Sequence, residues 1–277
     1  MGEPSDRWQR TIKRELVKNF DRLLDKVRTK SGNSAEVYPT LVRRRKLREN
    51  ATGVADVFDS PEALAINEAR MSHLASLGLS LAGKRVLDVG CGVGHLAAYL
   101  ARLGCKVTCI DGREENIALL RQRHPEFEAH VADAERDPLT AFGQFDIVFS
   151  YGLLYHLENP MAALRNMASA CGEMLLLETI ICDHSAPLMR MEDEYLAANE
   201  ALASTGCRPT PSYVAQGLNR CGFAHVYAPR VPPEHEDFRF GWMNDLASAR
   251  DGHPLRAVFV ASRERLNNSQ LRSMLKD

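Results

Sequence analysis

No apolar run in this chain approaches the roughly 18 residues that a membrane-spanning helix needs, so no membrane partner is expected. Residues Met1 to Arg14 are polar and charged, which argues against a secretory leader. The seven cysteines (Cys91, Cys105, Cys109, Cys171, Cys182, Cys207 and Cys221) are an odd number and include no C-x-x-C pair. They read as reduced core residues of a cytoplasmic protein, not as a disulfide or zinc framework. His95, His130 and His156 fall in separate loops without ligand spacing, so no metal site is expected. Internal repeats and low-complexity segments are absent as well. With 277 residues and 45% hydrophobic content, the chain can bury a sizeable core in one large domain, alone or with appendages.

Charge of one sign is not in excess overall, since the net charge is −1, but it is unevenly spread. Residues 1–50 hold 14 Lys or Arg against 7 Asp or Glu, with the densest run at Arg43, Arg44, Arg45, Lys46 and Arg48. A basic head on an acidic body suits nucleic acid or an acidic substrate, and it also suits a solvated helix face.

What the chain does have is a glycine turn. Arg85 to Val89 is a β-branched, apolar run that reads as a buried strand. Gly90, Gly92 and Gly94 follow it, and helical spacing resumes from His95 to Leu103. A strand, a glycine turn and a helix N-terminus let a ligand approach backbone N–H groups. The next strand ends at Asp111, where an acid can hold ribose hydroxyls. Dinucleotide sites read G-x-G-x-x-G, but here the position of the third glycine is His95. Asp88, just before the turn, would repel a pyrophosphate and suits a cationic amino-acid ligand. The stretch therefore resembles motif I of the class I S-adenosylmethionine-dependent methyltransferases. That resemblance implies S-adenosylmethionine as cofactor.

From residue 84 the pattern alternates between strands and helices. Strands are expected at 85–90, 106–111, 127–132, 145–150 and 173–180, with helices at 95–103, 113–123 and 160–170. A helical insertion near 187–204 follows, then a helix at 211–221, a strand at 223–228, a helix near 237–249 and a last strand at 255–262. This is an α/β chain with a Rossmann-like, seven-stranded sheet and helices on both faces. Residues 1–80 read as an N-terminal helical cap, with an amphipathic helix over Trp8 to Lys30 and a helix start at Ser60-Pro61. The methyltransferase-like domain spans 81–265, and 266–277 is a C-terminal tail.

Ligands of open α/β sheets gather at the carboxyl ends of the strands. Those positions are Asp88 with Gly90, Gly92 and Gly94; Asp111 and Gly112; Asp133 and Ala134; and Tyr151. Asp133 suits an exocyclic adenine amine, and Ala134 offers a backbone N–H to a ring nitrogen. Further along, Tyr155 carries a hydroxyl that can orient donor or acceptor. Histidine as a residue type titrates near neutrality, so His156 can serve as a general base, or it can satisfy a loop carbonyl. If the last strand runs antiparallel, Arg256 lies at the same edge, where it can grip a carboxylate or make a rim salt bridge.

The blocks Phe149 to His156, Leu177-Glu178-Thr179-Ile180, Pro211-Ser212, Cys221-Gly222-Phe223 and Arg256-Ala257-Val258 resemble, in order, the tRNA wobble-uridine carboxymethyltransferase family. Its members make 5-carboxymethoxyuridine with carboxy-S-adenosylmethionine. The resemblance implies that Tyr155 and Arg256 contact the extra donor carboxylate. The N-terminal third does not show the family's pattern, so the family's lysine contact for that carboxylate is not assigned to a residue here. The leading reading is a methyltransferase acting on a small-molecule or glycan acceptor at oxygen. The second is a tRNA-modifying methyl- or carboxymethyltransferase that meets tRNA through the basic head. The third is a non-catalytic module that keeps the cofactor fold, against which Asp88, Asp111 and Asp133 argue.

Overall fold

The computed structural model describes residues 57–194 and 201–275. The helix expected over Trp8 to Lys30, the basic run and most of the expected cap lie outside the described residues. The described part of that cap is helix α1 (Pro61–Ser76). It starts where Ser60 accepts a hydrogen bond from the Ala63 N–H at 3.2 Å and Pro61 occupies the first turn.

The α/β alternation follows in order. It comprises β1 (Arg85–Val89), α2 (His95–Arg102), β2 (Lys106–Asp111), α3 (Glu114–Arg123), β3 (Glu128–Val131), β4 (Phe145–Tyr151), α4 (Pro160–Ala170) and β5 (Cys171–Ile180). After these come β6 (Met189–Asp193), β7 (Thr205–Pro209), α5 (Pro211–Arg220), β8 (His225–Pro229), β9 (Ala249–Arg250), β10 (His253–Pro254), β11 (Arg256–Ser262) and β12 (Leu271–Ser273).

The main sheet runs β12-β8-β11-β5-β4-β1-β2-β3. Strands β1 to β5 pair in parallel, and β11 is antiparallel to both β5 and β8. The sheet is buried on both faces, as parallel sheets are. On β5, Leu175 and Leu177 share one core cluster with Leu164 of α4 and Leu218 of α5. Met174 and Leu176 alternate to the other face, with Leu74 of α1 and Leu100 of α2. Strand order reverses at β1, whose neighbours are β2 and β4. The carboxyl ends of β1, β2 and β4 therefore frame the crevice where ligands of such sheets bind.

Three expectations are corrected. The sheet has eight strands, not seven, because β12 within the expected tail pairs with β8. Leu271 is buried there, and the Met274 N–H donates to Val226, so the tail covers an otherwise open sheet edge. The insertion near 187–204 is not helical where it is described. Its flanks, β6 and β7, form a separate antiparallel pair with Met191 opposite Cys207. Pairing across the insertion outweighs the helix-forming composition of its residues. In place of a helix near 237–249 stands one 3₁₀ turn, Glu236–Phe238, followed by irregular chain with positive φ at Asn244 and Leu246. The chain then reverses between β9 and β10 over Asp251-Gly252, both at positive φ, an Asp-Gly hairpin signal.

Candidate active site

The glycine turn joins β1 to α2. Gly90 has φ +78° and Gly92 φ +54°, a backbone region that favours glycine. Their missing side chains make room for protein as well: a Cβ on Gly90 would lie 2.8 Å from Leu153, and one on Gly92 would lie 2.7 Å from the Phe58 ring. Gly94 caps α2 without a side-chain bond. The amides expected to face a ligand are largely consumed. Gly90 and Cys91 donate to the Ile110 carbonyl, Gly92 to Asp111 at 2.9 Å, and Gly94 to the Cys91 carbonyl. The turn thus contributes shape and a helix N-terminus more than free N–H groups.

Two carboxylates lie under this turn. Asp111 accepts from Gly92, from the Arg113 N–H and from the Asn116 side chain, each at 2.9 Å. A carboxylate offers about four lone-pair sites, so about one is left for a ligand hydroxyl. Burial raises the Asp111 pKa against these bonds. Asp88 is 2% exposed, and its Oδ2 has no hydrogen-bond partner among the described residues. Burial and the neighbouring Asp111 charge push its carboxyl up to about 8. A buried acid with an orphaned oxygen fits a cationic amine, which would return the carboxyl to its charged form. Gly112 lies against Leu202, which closes over the end of β2. Asp133 is turned partly onto its own loop, where Oδ1 accepts from the Glu135 N–H at 2.8 Å. Ala134 is buried beside it, and its carbonyl accepts from Asn166 at 3.1 Å.

The other half of the site is a charge cluster at the ends of β4 and β5 and the start of β11. Arg256 is 9% exposed and donates to Glu178 at 3.0 Å and to Asp237 at 3.1 Å. Arg70 of α1 donates to the other oxygen of Glu178. Burial opposes the Arg256 charge, but Glu178, Tyr155 and Asp237 outweigh it, so its pKa is pushed up. Arg256 also stacks over the Tyr155 ring at 5.1 Å, and Arg208 of β7 lies 5.5 Å from the same ring. Tyr151 stacks on Phe149 at 4.2 Å, and its buried hydroxyl has no partner among the described residues. Burial, with the Glu178 charge, raises that hydroxyl's pKa. His253 donates to Asp237 at 3.2 Å and lines a cavity of about 590 Å³ with Glu236, Phe240, Arg250 and Leu255.

His156 lies in the 3₁₀ turn Leu154–His156 that follows β4, with its ring 4.1 Å from that of Tyr155. Its Nδ1 is 3.1 Å from Glu194, whose other oxygen accepts from Arg208 at 2.9 Å. Burial lowers the His156 pKa and the Arg208 and Arg256 charges act the same way, while Glu194 opposes them. The fold thus assembles Asp88, the glycine turn, Asp111 and Gly112 on one edge. It gathers Tyr151, Tyr155, His156 and Arg256 beside that edge, with Asp133 and Ala134 after β3. Sequence reasoning missed Arg70, Glu178, Glu194, Arg208 and Asp237. Glu178 had a signal, as the one acid within the apolar run Leu175 to Ile180. Glu194 had none.

A family model described as a methyltransferase domain matches residues 87–171. The tRNA U34 carboxymethyltransferase of Alcanivorax borkumensis is 31% identical over 210 residues, covering 66% of this chain and 62% of that protein. The ubiquinone biosynthesis O-methyltransferase of Nitrosococcus oceani is 36% identical over 114 residues, covering 40% of this chain and 46% of that protein. The chain thus spans less than two thirds of the length of either relative. The N-terminal domain of EvdMO1 with S-adenosylhomocysteine bound superposes with a TM-score of 0.56 at 18% identity, over 83% of this chain and 99% of that one. Magnesium protoporphyrin IX methyltransferase from Synechocystis PCC 6803, with its methyl donor bound, gives 0.51 at 16% identity, over 84% and 100%. Residues 87–171 thus match a methyltransferase domain, the sheet with acids at its carboxyl edge shares the fold of S-adenosylmethionine-dependent methyltransferases, and the chain resembles the tRNA U34 carboxymethyltransferases over 66% of its length.

Proposed function

We propose that this chain transfers a methyl group from S-adenosylmethionine to a hydroxyl oxygen of a small-molecule or glycan acceptor. The observation that carries this reading is His156, whose ring is tied through Nδ1 to Glu194 and whose Nε2 has no protein partner among the described residues. Such a ring is set up to take a proton.

Bound S-adenosylmethionine would supply an electrophilic methyl carbon on a cationic sulfur. Asp88 would hold the donor's amine, Asp111 with Gly112 its ribose end, and Asp133 with Ala134 its adenine. Gly90, Gly92 and Gly94 shape the turn, and Tyr151 lines its β4 side. Positioning does most of the work in such a displacement, so Tyr155 serves to orient the reacting groups. A cavity of about 590 Å³ lined by Phe240, Arg250 and His253 borders the Asp237 end of the Arg256 cluster.

A second reading is carboxymethyl transfer from carboxy-S-adenosylmethionine to tRNA. The Arg256–Tyr155 stack and the Alcanivorax relative favour it. Against it, Arg70 and Arg256 already face Glu178 and Asp237, so within this cluster a further carboxylate meets no surplus positive charge.

A thermal-shift panel separates the readings. S-adenosylmethionine and S-adenosylhomocysteine should raise the melting temperature by several degrees, with the carboxylated donor weaker. Stabilisation by NAD alone overturns the proposal. Selective stabilisation by the carboxylated donor, with tRNA retained at low salt and released as salt rises, moves it to the second reading.

A further inference from the structure

Strands β6 and β7 stand apart from the main sheet and press against the turn that carries His156. The Cys207 thiol donates to the Leu154 carbonyl at 3.2 Å, and Arg208 donates to the Tyr155 carbonyl at 3.0 Å. A Cβ on Gly206 would lie 2.5 Å from that same Tyr155 oxygen, so only glycine lets the arm come this close. Glu194, at the end of β6, is held from both sides: its N–H donates to Ser204 at 2.9 Å, and Oε1 accepts from Arg208 at 2.9 Å. Its remaining oxygen, Oε2, meets His156 Nδ1 at 3.1 Å.

A carboxylate only accepts, so the nitrogen facing it must carry the proton. Glu194 is ionised: burial raises its pKa, but the bonds and charges of His156 and Arg208 outweigh that and bring it down. The groups around the ring are Glu194, with Arg208 bonded to it, Arg256 and Tyr155. Burial, aided by the Arg208 and Arg256 charges, keeps the imidazole neutral near pH 7, and the carboxylate decides which nitrogen stays bare.

We propose that Glu194 is a positioning residue that holds His156 in the Nδ1–H tautomer, so that Nε2 is the nitrogen that takes the acceptor's proton. This rests on the oxygen-directed reading above. In that step the acceptor O–H bond breaks, a new N–H bond forms at Nε2, and the bonding pair remains on the acceptor oxygen. The imidazolium so formed gains its counter-charge from Glu194.

The test needs no acceptor. The full chain is labelled with ¹⁵N-histidine, the His156 signals are identified by their loss in His156→Gln, and long-range ¹H–¹⁵N spectra are followed across pH. The unsubstituted protein should show a protonated Nδ1 and a bare Nε2 at pH 7.5. Glu194→Ala should redistribute the proton toward Nε2. Glu194→Gln keeps an accepting oxygen but loses the charge, so it should keep the tautomer and lower the ring's pKa by half a unit or more. A protonated Nε2 in the unsubstituted protein overturns the proposal. So does an unchanged tautomer in Glu194→Ala, or, if that variant does not fold, an unmoved pKa in Glu194→Gln. Calorimetry with S-adenosylmethionine on the same samples tests the function separately, because failure to bind the donor would leave the tautomer result standing.

Discussion

Arg256 donates to Glu178 at 3.0 Å along a diagonal of the β5–β11 pair: the register sets Arg256 opposite Ile180 and Glu178 opposite Val258. Diagonal neighbours on one face of an antiparallel pair lie within reach of long side chains. Glu178 is fully buried and also takes Arg70, so it fastens α1 to the sheet at the edge of the site. Replacing Glu178 with alanine should leave two buried guanidiniums facing each other and cost about 3–5 kcal/mol in urea unfolding. A loss below about 1 kcal/mol would show that the cluster is solvated.

With Asp88 holding the donor's amine as proposed, donor binding should depend on pH. Its folded pKa of about 8 lies above the ordinary carboxyl value of 3.8. The native state therefore holds a proton that the unfolded chain releases, and the stability this gives the ligand-free protein is present below about pH 4 and is lost as pH rises through 8. A cationic amine reverses the balance by favouring the carboxylate, so donor binding expels the proton. Affinity for S-adenosylmethionine should rise by up to about tenfold per pH unit between about pH 5 and 7. Calorimetry in buffers of different ionisation enthalpy should detect the released proton. Asp88→Asn should remove both effects, and a pH slope that survives this substitution would assign the proton elsewhere.

Gly92 is constrained twice, by φ +54° and by the Phe58 ring 2.7 Å from where a Cβ would stand. Gly92→Ala should cost about 1–3 kcal/mol from backbone strain and overpacking together. In the double variant with Phe58→Ala, the two losses should sum to more than the measured loss, because the clash is gone and only the strain remains. Strict additivity in chemical denaturation would mean that the two residues do not meet.

His156→Ala should lower turnover by about 10²- to 10⁴-fold, the range that general-base catalysis supplies, and leave donor affinity within about twofold. Release of S-adenosylhomocysteine against a panel of hydroxylated small molecules and glycans reads this directly. Unchanged turnover would rule out His156 as the base.

The placement of the proposed donor half was legible because it is written locally. Asp88, the three glycines and Asp111 sit at the ends of consecutive strands, and in a parallel sheet the strand ends share one edge. The arrangement of the proposed acceptor half was only partly legible. Tyr155 and His156 follow β4 and were visible for that reason, and Arg256 was placed at the correct edge because β11 is antiparallel. Its partners were not visible. Glu178 lies 78 residues from Arg256 in the chain, and Glu194 lies 38 from His156. Contacts of that separation leave no periodicity in the sequence.

The misread insertion has the same cause. Met189 to Asp193 carries residues that favour helix in isolation, yet it pairs with Thr205 to Pro209. The expected tail likewise became a strand because β8 had an open edge to satisfy. The sequence by itself determined the α/β alternation, the glycine turn and the acids at the strand ends, since each depends on near neighbours and on the direction of a parallel strand. Only the tertiary structure decided which charges meet. It gave Arg256 to Glu178 and Asp237, consumed the amides of the glycine turn and brought Glu194 to His156. A buried charge or polar group must find a partner wherever the folded chain offers one, whatever its distance along the sequence.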